Sequence, residues 1–139
     1  MGTRAIVGMK TDKGKYTSVY THWDGNPNHH LSILVNCYNT AKKVKTLLSH
    51  GDISSLRIHD EGAAGHTFNT PVEDQTVYYG RDRGDEGTKA KNHTSMARFT
   101  QEEYGYLFQD GQWFVVFPGE LVNHSEFLKN DEYQDERQD

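Results

Sequence analysis

Two short stretches carry side chains whose types and spacing could do chemistry. His22-Trp23-Asp24-Gly25 sets an imidazole, an indole and a carboxylate side by side before running into Asn26-Pro27-Asn28-His29-His30. His22 with Asp24, or with Asp52 brought in by the fold, would make an oriented imidazole for acid–base work. Further on, Arg81-Asp82-Arg83 places two planar, permanently charged forks around one acid. Such forks suit phosphate or carboxylate. Tyr20, Trp23, Tyr78 and Tyr79 add aromatic faces on which a base could stack.

Metal chemistry has donors enough. His22, Asp24, His29, His30, His59, Asp60 and His66 are all ligand types, and His22, Asp24, His59 and His66 are the candidates for a divalent ion. None has the spacing of Cys-x2-Cys or His-Glu-x2-His, and the adjacent His29 and His30 diverge on any regular element. No cofactor is expected, with a divalent metal left open. Ser54 and Ser55 lack a Gly-x-Ser-x-Gly setting. Each group also has an ordinary use: Asp24 closing a turn, Trp23 filling a core, an Arg-Asp-Arg loop pairing with itself.

Stepping outward, the elements that must hold these groups are short. Thr3 to Met9 and Tyr16 to Trp23 read as two strands joined by a polar, glycine-containing turn. Leu31, Leu34, Val35 and Tyr38 follow the i, i+3, i+4, i+7 rhythm of an amphipathic helix. Thr40 is set to cap a second helix that gathers Val44, Leu47 and Leu48 and ends at His50-Gly51. Ile53 and Leu56 pin the following segment to the core, and Arg57 to Asp74 reads as loop. Thr76 to Tyr79 has strand character, and Arg81 to about Asn92 reads as a long mixed-charge loop. Thr100 to Glu103 resembles a capping box. Asp110-Gly111 between Tyr104–Phe108 and Trp113–Phe117 is the strongest hairpin signal. Pro118-Gly119 is expected to stop that hairpin, and Leu121 to Leu128 to form a terminal helical turn. The expected fold is α+β: a mainly antiparallel sheet of two hairpins and an extra strand, with two short helices on one face. Residues 1–129 form the domain and 130–139 an acidic, frayed tail.

The 139 residues suit one core, and two Trp, eight Tyr and six Phe supply much of its area. A formal charge of −5 argues against general nucleic-acid binding and fits a chain that covers a basic surface or mimics nucleic acid, as the acids between Glu120 and Asp139 could. Cys37, the single cysteine, sits at an apolar helical position and reads as a small hydrophobe. No run approaches the ~20 apolar residues of a membrane span.

His22-Trp23-Asp24-Gly25, Gly51-Asp52-Ile53-Ser54-Ser55-Leu56 and Tyr79-Gly80-Arg81-Asp82-Arg83-Gly84 occur in that order. With Thr3-Arg4-Ala5 at the start and Tyr106-Leu107-Phe108 before Gly111-Gln112-Trp113, the chain resembles a widespread family of small uncharacterised bacteriophage proteins, over roughly Thr3 to Val115. It departs from the family pattern at Asn26, where Tyr is usual, and at His30, where Gly is usual. The resemblance implies a phage accessory protein at work in the cytoplasm of the infected host, and brings no catalytic assignment. The leading expectation is a non-catalytic binder that interferes with a host process, plausibly defence, by engaging a host protein or a small anionic, nucleotide-like signal. His22, Trp23, Asp24, Asp52, Tyr79, Arg81, Asp82 and Arg83 form its expected surface. A small hydrolase using His22 and Asp24, and a structural phage component, are the alternatives.

Overall fold

A computed structural model describes residues 2–128. The chain opens with the expected hairpin, β1 (Ala5–Asp12) and β2 (Lys15–Trp23), followed by helices α1 (His30–Cys37) and α2 (Ala41–Ser49). Two very short strands come next, β3 (Ile53–Ser55) and β4 (Val77–Tyr78), with helix α3 (Tyr79–Arg83) and strand β5 (Lys91–His93) behind them. A 3-10 helix (Met96–Thr100) leads into β6 (Tyr104–Gln109), β7 (Gln112–Phe117), β8 (Glu120–Asn123) and helix α4 (His124–Leu128).

All eight strands join one open sheet in the order β4-β3-β2-β1-β6-β7-β8, with β5 pairing β2 beside this path. The architecture is α+β and the sheet is mixed, so the mainly antiparallel expectation holds in part: β1–β2, β2–β5, β3–β4, β6–β7 and β7–β8 are antiparallel. β1 runs parallel to β6 and β2 parallel to β3. Both parallel pairs close a long crossover, the connection that lets a strand re-enter in the same direction. The two hairpins β1–β2 and β6–β7 are as expected. Asp110 and Gly111 both take positive φ, 52° and 77°, the left-handed pair that a tight hairpin turn requires.

Alternation gives the sheet two different faces. Val7, Met9, Val19, Tyr106, Phe108, Trp113 and Val115 pack against Leu31, Leu34 and Tyr38 of α1 and Val44, Leu47 and Leu48 of α2. Trp113 Nε1 donates to the Tyr38 carbonyl at 2.8 Å, locking the end of α1 onto β7. On the opposite face Ile6, Leu107 and Val116 lie under Phe99 of the 3-10 helix. Gly8 and Gly105 make that approach possible: a Cβ on Gly105 would stand 2.0 Å from the Phe99 carbonyl oxygen, and one on Gly8 2.9 Å from its ring.

Several boundaries differ from the sequence reading. Ser95, not Thr100, caps the 3-10 helix, accepting from Ala97 N, so Thr100 to Glu103 is a helix end rather than a capping box. Pro118-Gly119 turns the chain instead of stopping it, and residues 120–123 form β8 before the short α4 begins. The Arg81–Asn92 stretch holds α3 and β5. Thr40 does cap α2, with Oγ1 accepting from Lys43 N at 3.2 Å, and Gly51 leaves α2 at φ 85°. The acidic tail expected over 130–139 lies outside the described residues.

Candidate functional site

The three sequence motifs meet in space. β3 pairs with the end of β2 at Thr21↔Ile53 and Trp23↔Ser55, and with β4 at Ile53↔Tyr78. Asp52 ties the junction together. Its Oδ1 accepts from Tyr20 N at 2.9 Å, its amide donates to the Thr88 carbonyl at 2.7 Å, and its carbonyl accepts from Tyr79 N at 3.2 Å. The Tyr20 bond falls between the stretch of β2 paired with β5 and the stretch paired with β3, so the carboxylate serves as the missing ladder acceptor. Burial pushes the Asp52 carboxyl up, against the Tyr20 N–H and the charges of Arg98 and Lys91.

The His-Trp-Asp-Gly corner is shaped by a close passage over the start of β1. Gly25 N donates to the Thr3 carbonyl at 2.8 Å, and a Cβ on Gly25 would sit 2.7 Å from that oxygen and 2.8 Å from the Ala5 methyl. Only glycine fits there, and Asp24 before it absorbs the bend at φ 55°. Tyr106 Oη donates to the Gly25 carbonyl at 2.6 Å. His22 Nδ1 bonds the Tyr20 hydroxyl at 2.8 Å, not Asp24, so the expected His22–Asp24 dyad is not assembled. His29 reaches the Leu56 carbonyl at 2.8 Å. His30 is fully enclosed with no hydrogen-bond partner of regular geometry on either ring nitrogen. Burial, with His29 adding to it and the Asp24 backbone opposing it, drops its pKa to about 3.

Arg81 and Asp82 prove to be taken up by partners within the chain. The Arg81 guanidinium grips Asp82 through Nε at 2.9 Å and Nη2 at 3.0 Å, and donates to the carbonyls of Asp60 and Thr76. It also lies over the Tyr78 ring, 4.6 Å from the centroid. Asp82 Oδ2 accepts from Tyr78 N at 2.8 Å and stands 3.2 Å from His66 Nε2. Because His66 Nδ1 accepts from Val72 N, the ring carries its proton on Nε2 and donates it to Asp82. Burial alone would raise the Asp82 carboxyl, but the Arg81 bonds, the Tyr78 N–H and the charge of Arg81 hold it below its usual range. Arg81 is therefore not an open fork for a ligand, contrary to the expectation. It fastens the 57–76 loop to α3.

What stays on the surface is aromatic. Trp23 is 42% exposed, its ring in edge contact with His22 at 4.6 Å between centroids. His22 leans on Tyr20 at 6.0 Å. Tyr20 has Arg4, Glu102 and Tyr79 as electrostatic neighbours; burial is the main influence raising its hydroxyl. Tyr79 packs against Phe68 with the rings tilted and 5.7 Å between centroids, and the Arg83 guanidinium lies over both rings, 4.3 Å from Phe68 and 5.0 Å from Tyr79. Arg83 is also bound to Asp85 through Nε and Nη2, at 3.0 and 2.7 Å. Of the expected site, His22, Trp23, Tyr79 and Arg83 share this surface. Asp52, Arg81 and Asp82 lie beneath it as scaffold. Phe68 was missed, since nothing in its loop marks one aromatic ring as a platform for an arginine fifteen positions on.

The metal candidates go to separate partners: His22 to Tyr20, His59 to Glu61 and His66 to Asp82. Among the described residues no group of three His, Cys, Asp or Glu side chains stands close enough to hold an ion.

Two further features lie outside the sequence reading. Ser18 Oγ is 2.8 Å from His93 Nε2, and His93 Nδ1 is 2.9 Å from the Ser95 carbonyl, the order of nucleophile, base and orienting group. Ser18 has no exposed surface, however, and Arg98 Nε donates to the same oxygen at 2.6 Å. The trio binds β5 and the 3-10 helix to β2 and leaves a substrate no approach. Between the end of α2 and α3 lies a cavity of about 500 Å³, lined by His50, Gly51, Gly80, Gly84, Gly87 and Lys89 among others. Added Cβ atoms at Gly84 and Gly87 would meet nothing within 4 Å, so its rim is open. Comparison with protein-family models, curated proteins and solved structures found no match.

Proposed function

We propose that this chain is a phage-encoded, non-catalytic binding protein that interferes with a host process, host defence being the expected setting. It engages its target through the surface running from Trp23 across His22 and Tyr20 to Tyr79, Arg83 and Phe68. One observation carries the reading: where the three motifs converge, Asp52, Asp82 and Arg81 are taken up by the scaffold, while Trp, Tyr, Phe and Arg side chains are left outward. Trp, Tyr and Arg are the residues that dominate binding energy at protein interfaces. They are held in place here by one another, so little side-chain freedom is lost on docking.

The test is native mass spectrometry and titration calorimetry with host extract and then with the isolated target. Trp23→Ala combined with Tyr79→Ala should abolish the complex and leave circular dichroism and the thermal midpoint intact. A well-folded double variant that binds undiminished would overturn the reading. The glycine-rimmed cavity, lined by Lys89 and His50 but also by Asp85, which is bound to Arg83, and by Glu86, favours a second reading, a small ligand whose anionic group pairs with Lys89. An adduct of nucleotide size, lost in Lys89→Ala and kept in the Trp23/Tyr79 variant, would move the function there.

A further inference from the structure

One end of the aromatic surface sits on a turn that a single histidine closes. Phe68 lies between His66 and Val72, where Thr67 and Thr70 bond each other and residues 69–71 are exposed. Val72 N donates back to His66 Nδ1 at 3.0 Å and shuts the turn. The other ring nitrogen stands 3.2 Å from Asp82 Oδ2 of α3. The His66 side chain is 1% exposed and that of Asp82 6%. Phe68 has a backbone tie of its own to α3, but that bond to the Asp82 carbonyl is long, at 3.3 Å.

These partners fix where the ring's proton is. A backbone N–H only donates and a carboxylate only accepts, so His66 is neutral, bare at Nδ1 and protonated at Nε2. A second proton has one place to go, Nδ1, and there it sets N–H against N–H. The acid paired with the ring is Asp82, and the cation on that acid is Arg81. On the ring's own loop the facing group is the uncharged Val72 amide. Asp82 therefore favours an imidazolium and Val72 opposes one. What can move decides between them. Asp82 is held by Arg81 and by Tyr78 N, whereas Val72 ends an exposed turn. The acid form keeps the Asp82 pair and gives up the Val72 bond. His22, on the same surface, meets no such conflict, because its partner is the Tyr20 hydroxyl, which donates or accepts.

We propose that His66 is an acid-operated latch on this surface. While neutral it closes the 66–72 turn and holds Phe68 against Tyr79 and Arg83; a proton on Nδ1 opens the turn and Phe68 leaves them. The inference rests on the surface described under the proposed function and adds its regulation: the platform is assembled at neutral pH and dispersed in acid.

The test is NMR of the free, full-length protein from pH 8 to pH 4.5, beside His66→Gln. Glutamine offers an NH2 to Asp82 and an oxygen to Val72 N but takes no proton. In the parent, the ring nitrogen signals of His66 should report protonation of Nδ1. Over the same interval the cross-peaks between the Phe68 and Tyr79 rings should disappear. The Val72 amide should lose about tenfold in exchange protection relative to His66→Gln, the worth of one hydrogen bond. Comparing the two proteins cancels the acid sensitivity of His30, which both share. His66→Gln should keep its ring cross-peaks throughout. If that variant fails to fold, the parent decides alone, since the cross-peaks must fade in step with His66 and not with His22. A His66 that takes up its proton with Val72 and Phe68 undisturbed overturns the latch. So does a ring that stays neutral to pH 4.5, or an equal loss of cross-peaks in His66→Gln. All of this is read without a partner, so it stands or falls separately from the Trp23/Tyr79 binding test.

Discussion

His30 shows how much a single enclosed side chain can set. Its ring lies 5.5 Å from Tyr106, fully buried, with no well-formed hydrogen bond at either nitrogen. A charge there would have no counter-ion, so folding holds the imidazole neutral and its pKa falls from 6.5 to about 3. The sign follows directly. The unfolded chain takes up a proton below pH 6.5 and the folded chain does not, so stability is full above 6.5 and drains away as the pH falls towards 3. The slope is about 1.4 kcal/mol per pH unit within that window. His30→Phe should be at least as stable at pH 7.5, because it removes two buried polar atoms that lack well-formed hydrogen bonds. Its advantage over the parent should widen with each unit of acid in urea titrations at pH 7.5, 6, 5 and 4. A difference that stays constant across that range would show that His30 does not titrate as an isolated buried group. The sequence showed a histidine pair at a helix start. It could not show that His29 finds the Leu56 carbonyl while His30 is enclosed without a well-formed bond, because that depends on which one turns towards Tyr106.

At the scale of elements, the legible parts were those whose signal is local. Both hairpins, α1, α2, the Thr40 cap and the Gly51 stop came from turn residues and periodicity within a few positions. β3, β4 and β5 have three, two and three residues, too short to show a period, and the parallel pairs join segments far apart in the chain. Asp52 marks the place where this matters, since β2 changes partner from β5 to β3 beside it. Asp52→Ala leaves the Tyr20 amide without its acceptor and should cost about 1–3 kcal/mol. Asp52→Asn keeps an oxygen for that amide and removes the charge. Burial raises the folded Asp52 pKa above 3.8, so the parent loses stability as the pH climbs through the interval from 3.8 to the folded value. At pH 7 the Asn variant should therefore match or exceed the parent, and below pH 3.8 its advantage should vanish. Thermal midpoints of both variants at pH 7 and pH 3.5 test this. An Asn variant as weak as the Ala variant at pH 7 would mean that the carboxylate's charge, not its acceptor oxygen, holds the junction.

Across the whole molecule, the site's polar residues prove to be the means by which a long irregular segment is attached to the sheet. Residues 57–76 contain little regular structure, and what they gain from the core is limited to a few contacts. Thr76 Oγ1 accepts from Arg57 N at 2.9 Å, His59 exchanges backbone bonds with Asp74 and Thr76, and Arg81 joins the Asp60 and Thr76 carbonyls to Asp82. Arg81 was legible as a functional arginine only in its type. Its role depends on carbonyls supplied by a loop whose path the sequence does not reveal. Arg81→Ala leaves Asp82 with only Tyr78 N and His66, and strands two carbonyls, which puts the loss at about 2–4 kcal/mol. The loss should be local before it is global, because segments joined by few contacts open as units of their own. Hydrogen exchange of the Arg81→Ala protein should show faster exchange at His59, Thr76, Tyr78 and the α3 amides. Ala5–Met9 of β1, held between β2 and β6, should keep the slowest exchange in the chain. Arg83→Ala, which removes only a surface pair and two ring contacts, should leave both regions unchanged. Uniform acceleration over β1 and the loop alike in Arg81→Ala would mean that the 57–85 segment and the sheet form one cooperative unit. The proposed binding surface above Arg81 would then lack any local flexibility of its own.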